Sequence, residues 1–448
     1  MRWYWLPIAA LVAVTLVVAA TIRDARVTAN EARLRAERFG AAGAVASLPP
    51  MRPGTSRAEL ANTVREMTSR LQSHPEDAAA VVLLADGLLR LQRVNSDGRA
   101  VIAAEQHLRA FLERRPAHYG SRRMLAAVLL SQHRFGEAIA EAERARADDP
   151  RDGWNYGVIG DGYMELGDYE RAFAAFDRMG QIAPGPAAYA RIAYALEIKG
   201  DLDGAVEHMR MAADGTSPND PESQAWHYAQ TGDLLLQVGR LVPARLEYER
   251  AMATFADHPL AIMGLAKLKI VAGDVRAARL MLQRELARAP TSELAMLVGD
   301  LSERIGDREG AAPYYRMAEQ VERAAWENGP RQPQVLARFF VDRQANHAEA
   351  VALAEEGARS RRDIFTLDVL ATAYLEAGRV QDARRASDLA LRTGTRDARI
   401  LWHAAEVRAA AHDRAGALEL LSRIPAIDAV SDLHVRDGVR SLRNRLTS

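Results

Sequence analysis

A chain of 448 residues with 48% apolar but only 6% aromatic content can bury a continuous core, and its abundance of alanine suits close-packed helices better than a β-sandwich. Its 59 basic and 59 acidic residues cancel, which argues against a general nucleic-acid binder, because neutralising phosphates needs a basic surplus. The absence of cysteine excludes disulfides, thiolate catalysis and Cys-ligated metal centres, while leaving the redox compartment open.

The first element lies between Arg2 and Arg23, where twenty residues, WYWLPIAALVAVTLVVAATI, carry no charge. At about 1.5 Å per residue such a helix spans about 30 Å, the thickness of a bilayer hydrocarbon core. Trp3, Tyr4 and Trp5 would sit at the interface, where amphipathic rings concentrate. Residues 1–22 are therefore expected to form a single-pass membrane anchor. The competing reading is a signal peptide cleaved after Val18-Ala19-Ala20. Arg23, Arg26, Arg33, Arg35 and Arg38 follow the span, and the positive-inside rule would keep them in the cytoplasm. Short anchors of this kind also carry exported domains, so the body is expected to be extracytoplasmic (periplasmic), with a cytoplasmic-facing body as the alternative.

Residues 23–54 read as a charged juxtamembrane segment and a linker, GAAGAVASLPPMRPG, broken by glycine and proline. A helix is expected within residues 55–77, opened by a capping box at Ser56-x-x-Glu59, with Leu60, Val64, Met67 and Leu71 on one face. Further on, GWNYGVIGDGYMELG (153–167) poses a choice between a phosphate loop and helix packing. No β-branched run precedes these glycines and no lysine follows them; the chain has three, Lys199, Lys267 and Lys269. Trp154, Tyr156, Ile159, Tyr163 and Leu166 recur at helical spacing, so a helix is predicted.

That helix belongs to a repeat. Pro116, Pro150 and Pro184 are 34 residues apart, as are Ala104, Ala138 and Ala172. Gly167, Gly200, Gly239, Gly273, Gly306 and Gly378 are each followed five residues later by alanine. The unit 153–184 resembles the tetratricopeptide repeat (TPR) family. Tyr156 stands at the first aromatic site, Ile159-Gly160 at the Leu-Gly pair, and Tyr163 at the next aromatic. Gly167 makes the turn, Ala172 is the small packing residue, and Phe176 and Pro184 complete the unit. About ten units start near Ala78, Tyr119, Gly153, Pro186, Ala225, Pro259, Ser292, Arg331, Ile364 and Ala398. The first carries an insertion, VNSDGRA; longer loops, SPNDPES and ENGPRQP, precede the fifth and eighth; and Arg338 replaces the small residue in the eighth. The resemblance implies an all-α, right-handed superhelical solenoid of helix-turn-helix repeats over residues 78–425, preceded by one transmembrane helix. A capping helix over 426–448 would shield the last unit. Arg436, Arg440, Arg443 and Arg445 would let that helix meet anionic lipid instead.

No His-Glu-x-x-His, Gly-x-Ser-x-Gly or kinase set is present, and the repeats leave no room for a fused catalytic domain. The chain is expected not to be an enzyme and to use no cofactor or metal. In the family, the first helix of each unit lines a concave groove. Carried over, this groove takes Trp154, Tyr194, Trp226, Phe339, Phe365 and Trp402, with Asp161, Asp233, Lys267, Asp300, Asp368 and Glu406 beside them. The Lys/Asn clamp of the chaperone-binding members is absent. An acidic and aromatic lining implies a partner protein segment carrying Arg or Lys with apolar anchors, and charge reversal at Asp233 and Asp300 would weaken its capture. The expected function is a membrane-tethered protein–protein interaction scaffold or assembly factor for an envelope or membrane complex, with no nucleic-acid partner. A cytoplasmic-facing adaptor that sequesters a signalling partner, a soluble exported binding protein and a self-associating array are the alternatives.

Overall fold

The computed structural model describes residues 56–328, 332–424 and 426–448. The expected anchor (1–22) and the linker up to residue 54 lie outside the described residues. Among the described residues no helix is long and apolar enough to cross a membrane.

All regular structure among these residues is helical: twenty-two α-helices and one 3₁₀ turn, Ile427–Ala429. The first helix, α1 (Arg57–Ser73), starts at the capping box, with Glu59 N donating to Ser56 Oγ (3.4 Å) and Ser56 N to Glu59 Oε2 (3.3 Å). Ten antiparallel pairs follow. They are α2 (Ala78–Asn95) with α3 (Gly98–Arg114), α4 (Tyr119–Ser131) with α5 (Phe135–Asp148), and α6 (Gly153–Leu166) with α7 (Tyr169–Ile182). Next come α8 (Pro186–Ile198) with α9 (Leu202–Gly215), α10 (Pro221–Gln237) with α11 (Leu241–Thr254), and α12 (Pro259–Val271) with α13 (Val275–Arg288). The last four are α14 (Ser292–Arg304) with α15 (Arg308–Asn328), α16 (Pro333–Asp342) with α17 (His347–Ser360), α18 (Ile364–Glu376) with α19 (Val380–Ala390), and α20 (Ala398–Ala410) with α21 (Arg414–Ser422). The final helix, α22 (Leu433–Thr447), covers the last pair.

One dipeptide, Gly-Asp, makes four of the ten turns within a pair. Gly167, Gly200, Gly273 and Gly306 take φ of 74–87°, the left-handed region that lets the first helix end. The aspartates that follow start the second helix: Asp168, Asp201, Asp274 and Asp307 accept from the amides of Arg171, Gly204, Ala277 and Gly310 at 3.0–3.2 Å.

The glycines inside α6 are packing devices. A Cβ at Gly160 would overlap the Phe176 ring, and one at Gly162 would overlap Ile139. The same arrangement recurs where Gly232 faces Tyr248 and Gly299 faces Tyr315, each aromatic sixteen residues after its glycine. Each ring fills the space that the missing side chain leaves, so paired helices close to backbone contact.

Two local expectations need correction. The insertion VNSDGRA forms no loop but lengthens the two helices: α2 runs to Asn95, Ser96 caps it in the left-handed region (φ 56°), and Asp97 starts α3 at once by accepting from Arg99 N. The fifth unit begins at Pro221, four residues before Ala225. Asp220 caps it, proline is tolerated at its first position, and the buried Glu222 is held by Arg90 and Arg93 of the first pair.

That last contact shows how tightly the solenoid is wound. Arg57 in α1 pairs with Glu285 and donates to Asp257 O (3.1 Å). Six units apart, the third pair meets the ninth: Arg361 pairs with Glu165 (2.5 Å), Ile364 N donates to Tyr169 Oη (2.9 Å), and Arg392 Nη2 donates to Gly167 O (3.0 Å). Arg304 reaches Asp437 in α22 (2.6 Å). Successive turns of the superhelix therefore touch, and one continuous core joins Met164, Tyr169 and Phe176 to Ile364, Leu367 and Ile400. In α22, Val435, Val439 and Leu442 are buried, while Arg440 pairs with Asp428 (2.8 Å), Arg445 with Glu406 (2.7 Å), and Arg443 donates to Leu421 O (3.4 Å). Three of its four arginines, Arg440, Arg443 and Arg445, are thus engaged by the protein.

Candidate functional site: an axial chamber

Because the turns touch, the inner face is not an open groove. It narrows to a chamber of about 640 Å³ bounded by α8, α10, α12, α14, α16, α18, α20 and α22. Six carboxylates (Glu197, Asp233, Glu293, Asp368, Asp397, Asp432) and four cations (Lys267, Arg338, Arg361, Arg399) line it, with Phe365 among them.

The acidic positions expected to meet a partner are largely paired within the chain. Arg191, one unit on, binds Asp161 through Nη2 (2.6 Å). Asp233 accepts from Lys267 Nζ (2.8 Å), again one unit on, and from the Tyr248 hydroxyl (2.9 Å). Asp300 accepts from the Tyr315 hydroxyl (2.9 Å), with Arg343 at 3.6 Å. Phe176 replaces tyrosine in the third unit, and there Asp161 relies on arginine alone. Asp368 is 5% exposed and meets His403 Nδ1 at 2.8 Å, and Glu406 takes Arg445 from α22.

The aromatic positions divide. Phe339 and Trp402 are 8% and 7% exposed and belong to the core, Trp402 packing where a Cβ on Gly438 of α22 would stand. Trp154 sits under the guanidinium of Arg123 (4.6 Å) and near that of Arg191 (5.7 Å). Tyr194 packs against the main core, and Trp226 lies edge-on to His227 (5.2 Å). Phe365 alone of the six is exposed, at 41%, and it lines the chamber. Of the expected twelve, Asp233, Lys267, Phe365 and Asp368 line the chamber.

Two of the chamber's carboxyls, Glu197 and Asp397, are pushed toward the neutral form, whereas at Asp432 burial is outweighed by the charge of Arg399 together with hydrogen bonds, which hold that carboxyl low. Burial, reinforced by the charges of Asp397 and Asp233 and opposed by Lys267, pushes the Glu197 carboxyl up to about 7. Burial also raises Asp397, and lifts Asp300 at the chamber's neighbouring recess to about 6. Glu197, Glu293, Asp397 and Arg399 carried no sequence signal. Glu197 reads as the solvated end of a helix, LEIKGD, and only the return of the chain six units later closes it in. Among the described residues no group of three or more His, Cys, Asp or Glu is arranged to hold a metal ion.

The tetratricopeptide repeat family model matches residues 158–223 and 263–330. These segments carry tetratricopeptide repeats. No curated protein sequence matches the chain. Among solved structures, the Cut9-Hcn1 hetero-tetramer of the APC/C aligns at 15% identity over 87% of this chain and 67% of that one, with a TM-score of 0.47. A human IFIT1 dimer with PPP-AAAA aligns at 16% identity over 75% and 78%, with a TM-score of 0.47. PilW, a type IV pilus biogenesis factor, aligns at 18% identity over 45% and 92%, with a TM-score of 0.37. The matched segments thus belong to a repeat class that binds other proteins, within an all-helical array, and no catalytic family is indicated.

Proposed function

We propose that the chain is a membrane-tethered scaffold, or assembly factor for an envelope or membrane complex, that holds a protein partner in its axial chamber. Residues 1–22 supply the anchor and the repeats lie on the extracytoplasmic side. The observation that carries the binding part is the chamber itself: about 640 Å³ of solvent-filled space left on the inner face of a repeat array, with Phe365 41% exposed within it. A segment with an apolar anchor and a basic group matches that lining. The tethering part rests on the charge-free run from Trp3 to Ile22.

Two measurements test the proposal. A C-terminally tagged chain should stay in the membrane fraction after carbonate washing, and deleting residues 1–22 should release it. Recovery of the intact chain in the soluble fraction would refute tethering. Protease added to intact spheroplasts should digest the body while cytoplasmic controls survive; protection until the membrane is opened would place the body inside, as the five arginines after the span suggest. A photo-crosslinking residue at Phe365 should trap a protein partner that the same residue at Val242, 72% exposed on the second helix of the fifth pair, does not.

A further inference from the structure

The large apolar side chains left exposed among the described residues are not spread evenly. Six of the eight, Met211, Leu241, Val242, Leu246, Leu280 and Met317, sit on α9, α11, α13 and α15, the second helices of four successive pairs. First helices bound the chamber, so these second helices lie on the outside of the winding. Contacts join them side by side. Arg210 of α9 meets Glu247 of α11 (3.7 Å), Arg288 of α13 meets Asp257 just past α11 (3.1 Å), and Gln283 of α13 donates to Tyr314 Oη of α15 (2.8 Å). Leu246 and Leu280 are 34 residues apart and hold one repeat position, and Val242 lies one turn before Leu246. All three are more than half exposed. One exposed apolar residue needs no explanation, but a row of them across neighbouring helices does.

Charge on the same surface is in excess with one sign. On α11, α13 and α15 the exposed Arg245, Arg276, Arg284, Arg308 and Arg316 have no ion pair among the described residues, against two such acids, Glu249 and Glu309. Arg276 and Arg284 flank Leu280 one turn to either side. A protein's anchor side chain needs a pocket to fill, and none of these residues lines the chamber or its recess; a fluid lipid surface needs no pocket. The chain also enters the described fold at this place: Arg57 pairs with Glu285 of α13 and donates to Asp257 O just past α11 (3.1 Å). Residues 23–55 separate that point from the charge-free run, and a random coil of this length spans about 30 Å.

We propose that the outer face of α11, α13 and α15 docks on an anionic lipid surface. Val242, Leu246, Leu280 and Met317 enter the headgroup layer, and the unpaired arginines meet lipid phosphates, whose oxygens match the forked guanidinium donors. This goes beyond the scaffold reading and rests on its tethered half: the anchor keeps the body near the bilayer, and this face sets which side of the superhelix lies against it. The attraction combines apolar insertion with surface charge, so it needs anionic headgroups and weakens with salt.

The chain has no cysteine, so L246C, L280C and L389C each carry a single fluorescent label whose emission reports local polarity. Leu389 on α19 is exposed to a similar degree and serves as the control. Full-length protein is reconstituted into vesicles of phosphatidylcholine alone or of equal parts phosphatidylcholine and phosphatidylglycerol, with and without bromine-labelled acyl chains. Both leaflets have one composition, so the orientation of the body does not affect the result. In anionic vesicles the labels at 246 and 280 should shift to the blue and be quenched about twofold by the brominated chains, with little effect at 389. Raising salt to about 1 M, where screening acts within about 3 Å, should reverse most of that quenching. R276E/R284E changes two exposed side chains, so it should keep the parent's circular dichroism and lose the quenching. Labels that stay in water at 246 and 280 while the chain remains in carbonate-washed vesicles would overturn the docking face and leave tethering intact. Equal quenching in neutral vesicles, or in R276E/R284E, would overturn the anionic assignment. A blue shift without bromine quenching would mark a protein occupant (residues 23–55, a second copy or another chain) and would also sink the proposal. Failure of the full-length chain to enter either vesicle defeats the tethered reading itself, and this inference with it.

Discussion

Asp233 shows how a residue changes meaning between sequence and structure. At its groove position it reads as a receptor for a partner's basic group; in the fold it accepts from Tyr248 and Lys267 of its own chain. Charge reversal there would set a lysine against Lys267, and the expected result is loss of hydrogen-exchange protection across the fifth and sixth pairs, not a selective loss of binding. Milder changes resolve the parts. Tyr248→Phe keeps the buried ring and removes one hydrogen bond, so urea unfolding should report a cost of about 1 kcal/mol. Gly264→Ala, whose Cβ would overlap the same ring, should cost more, about 1–3 kcal/mol. Histidines set the acid limb. Burial holds His227 and His258, which are 7% and 1% exposed, down at about 4, below the usual 6.5. A depressed histidine contributes stability that is full above its unfolded value and lost as pH falls toward the folded one. Thermal unfolding should thus fall steeply between pH 6.5 and 4, and His227→Gln should flatten that limb if it preserves the contact with Thr216 Oγ1 (2.9 Å).

Elements were legible where local chemistry alone decides them. The Gly-Asp turns, the capping box at Ser56 and the Gly160–Phe176 packing follow from backbone sterics and side-chain volume, and the sequence carries both. Unit five was misplaced because its extra turn is fixed by a distant pair: Glu222 is fully buried only because Arg90 and Arg93 reach it from the first unit. At the other end, α22 covers Trp402, and a Cβ at Gly438 would overlap its indole. Gly438→Ala should lift this helix, deprotecting residues 433–447 to hydrogen exchange while the central repeats stay protected. Unchanged protection there would show that α22 has room to shift without detaching.

The whole molecule is governed by its closure. Arg361, Tyr169 and Arg392 clasp turns six units apart, which converts an open groove into a chamber. The double change Arg361→Ala/Tyr169→Phe should leave each helix pair folded and widen the superhelix, so small-angle scattering should show a larger radius of gyration at unchanged helical content. An identical scattering curve would mean that the shared core from Phe176 to Leu367 holds the turns together without the clasp. Glu197 offers a readout of opening. Its raised carboxyl favours the closed state most below its unfolded value, and that contribution is lost as pH rises through about 7.

The sequence by itself determined the repeat, the turns and the helix pairs, because a 34-residue period, αL glycines and capping aspartates act within a few residues of one another. It also placed Phe365 on the inner face, where it lines the chamber. What only the tertiary structure decided was the radius and pitch of the winding. These depend on small rotations accumulated over many units and on ion pairs between residues more than a hundred positions apart. Pairing with the same or the next unit turned the expected groove acids into internal partners, and the winding brought Glu197 and Asp397, six units apart and with nothing local to mark them, to the wall of one chamber.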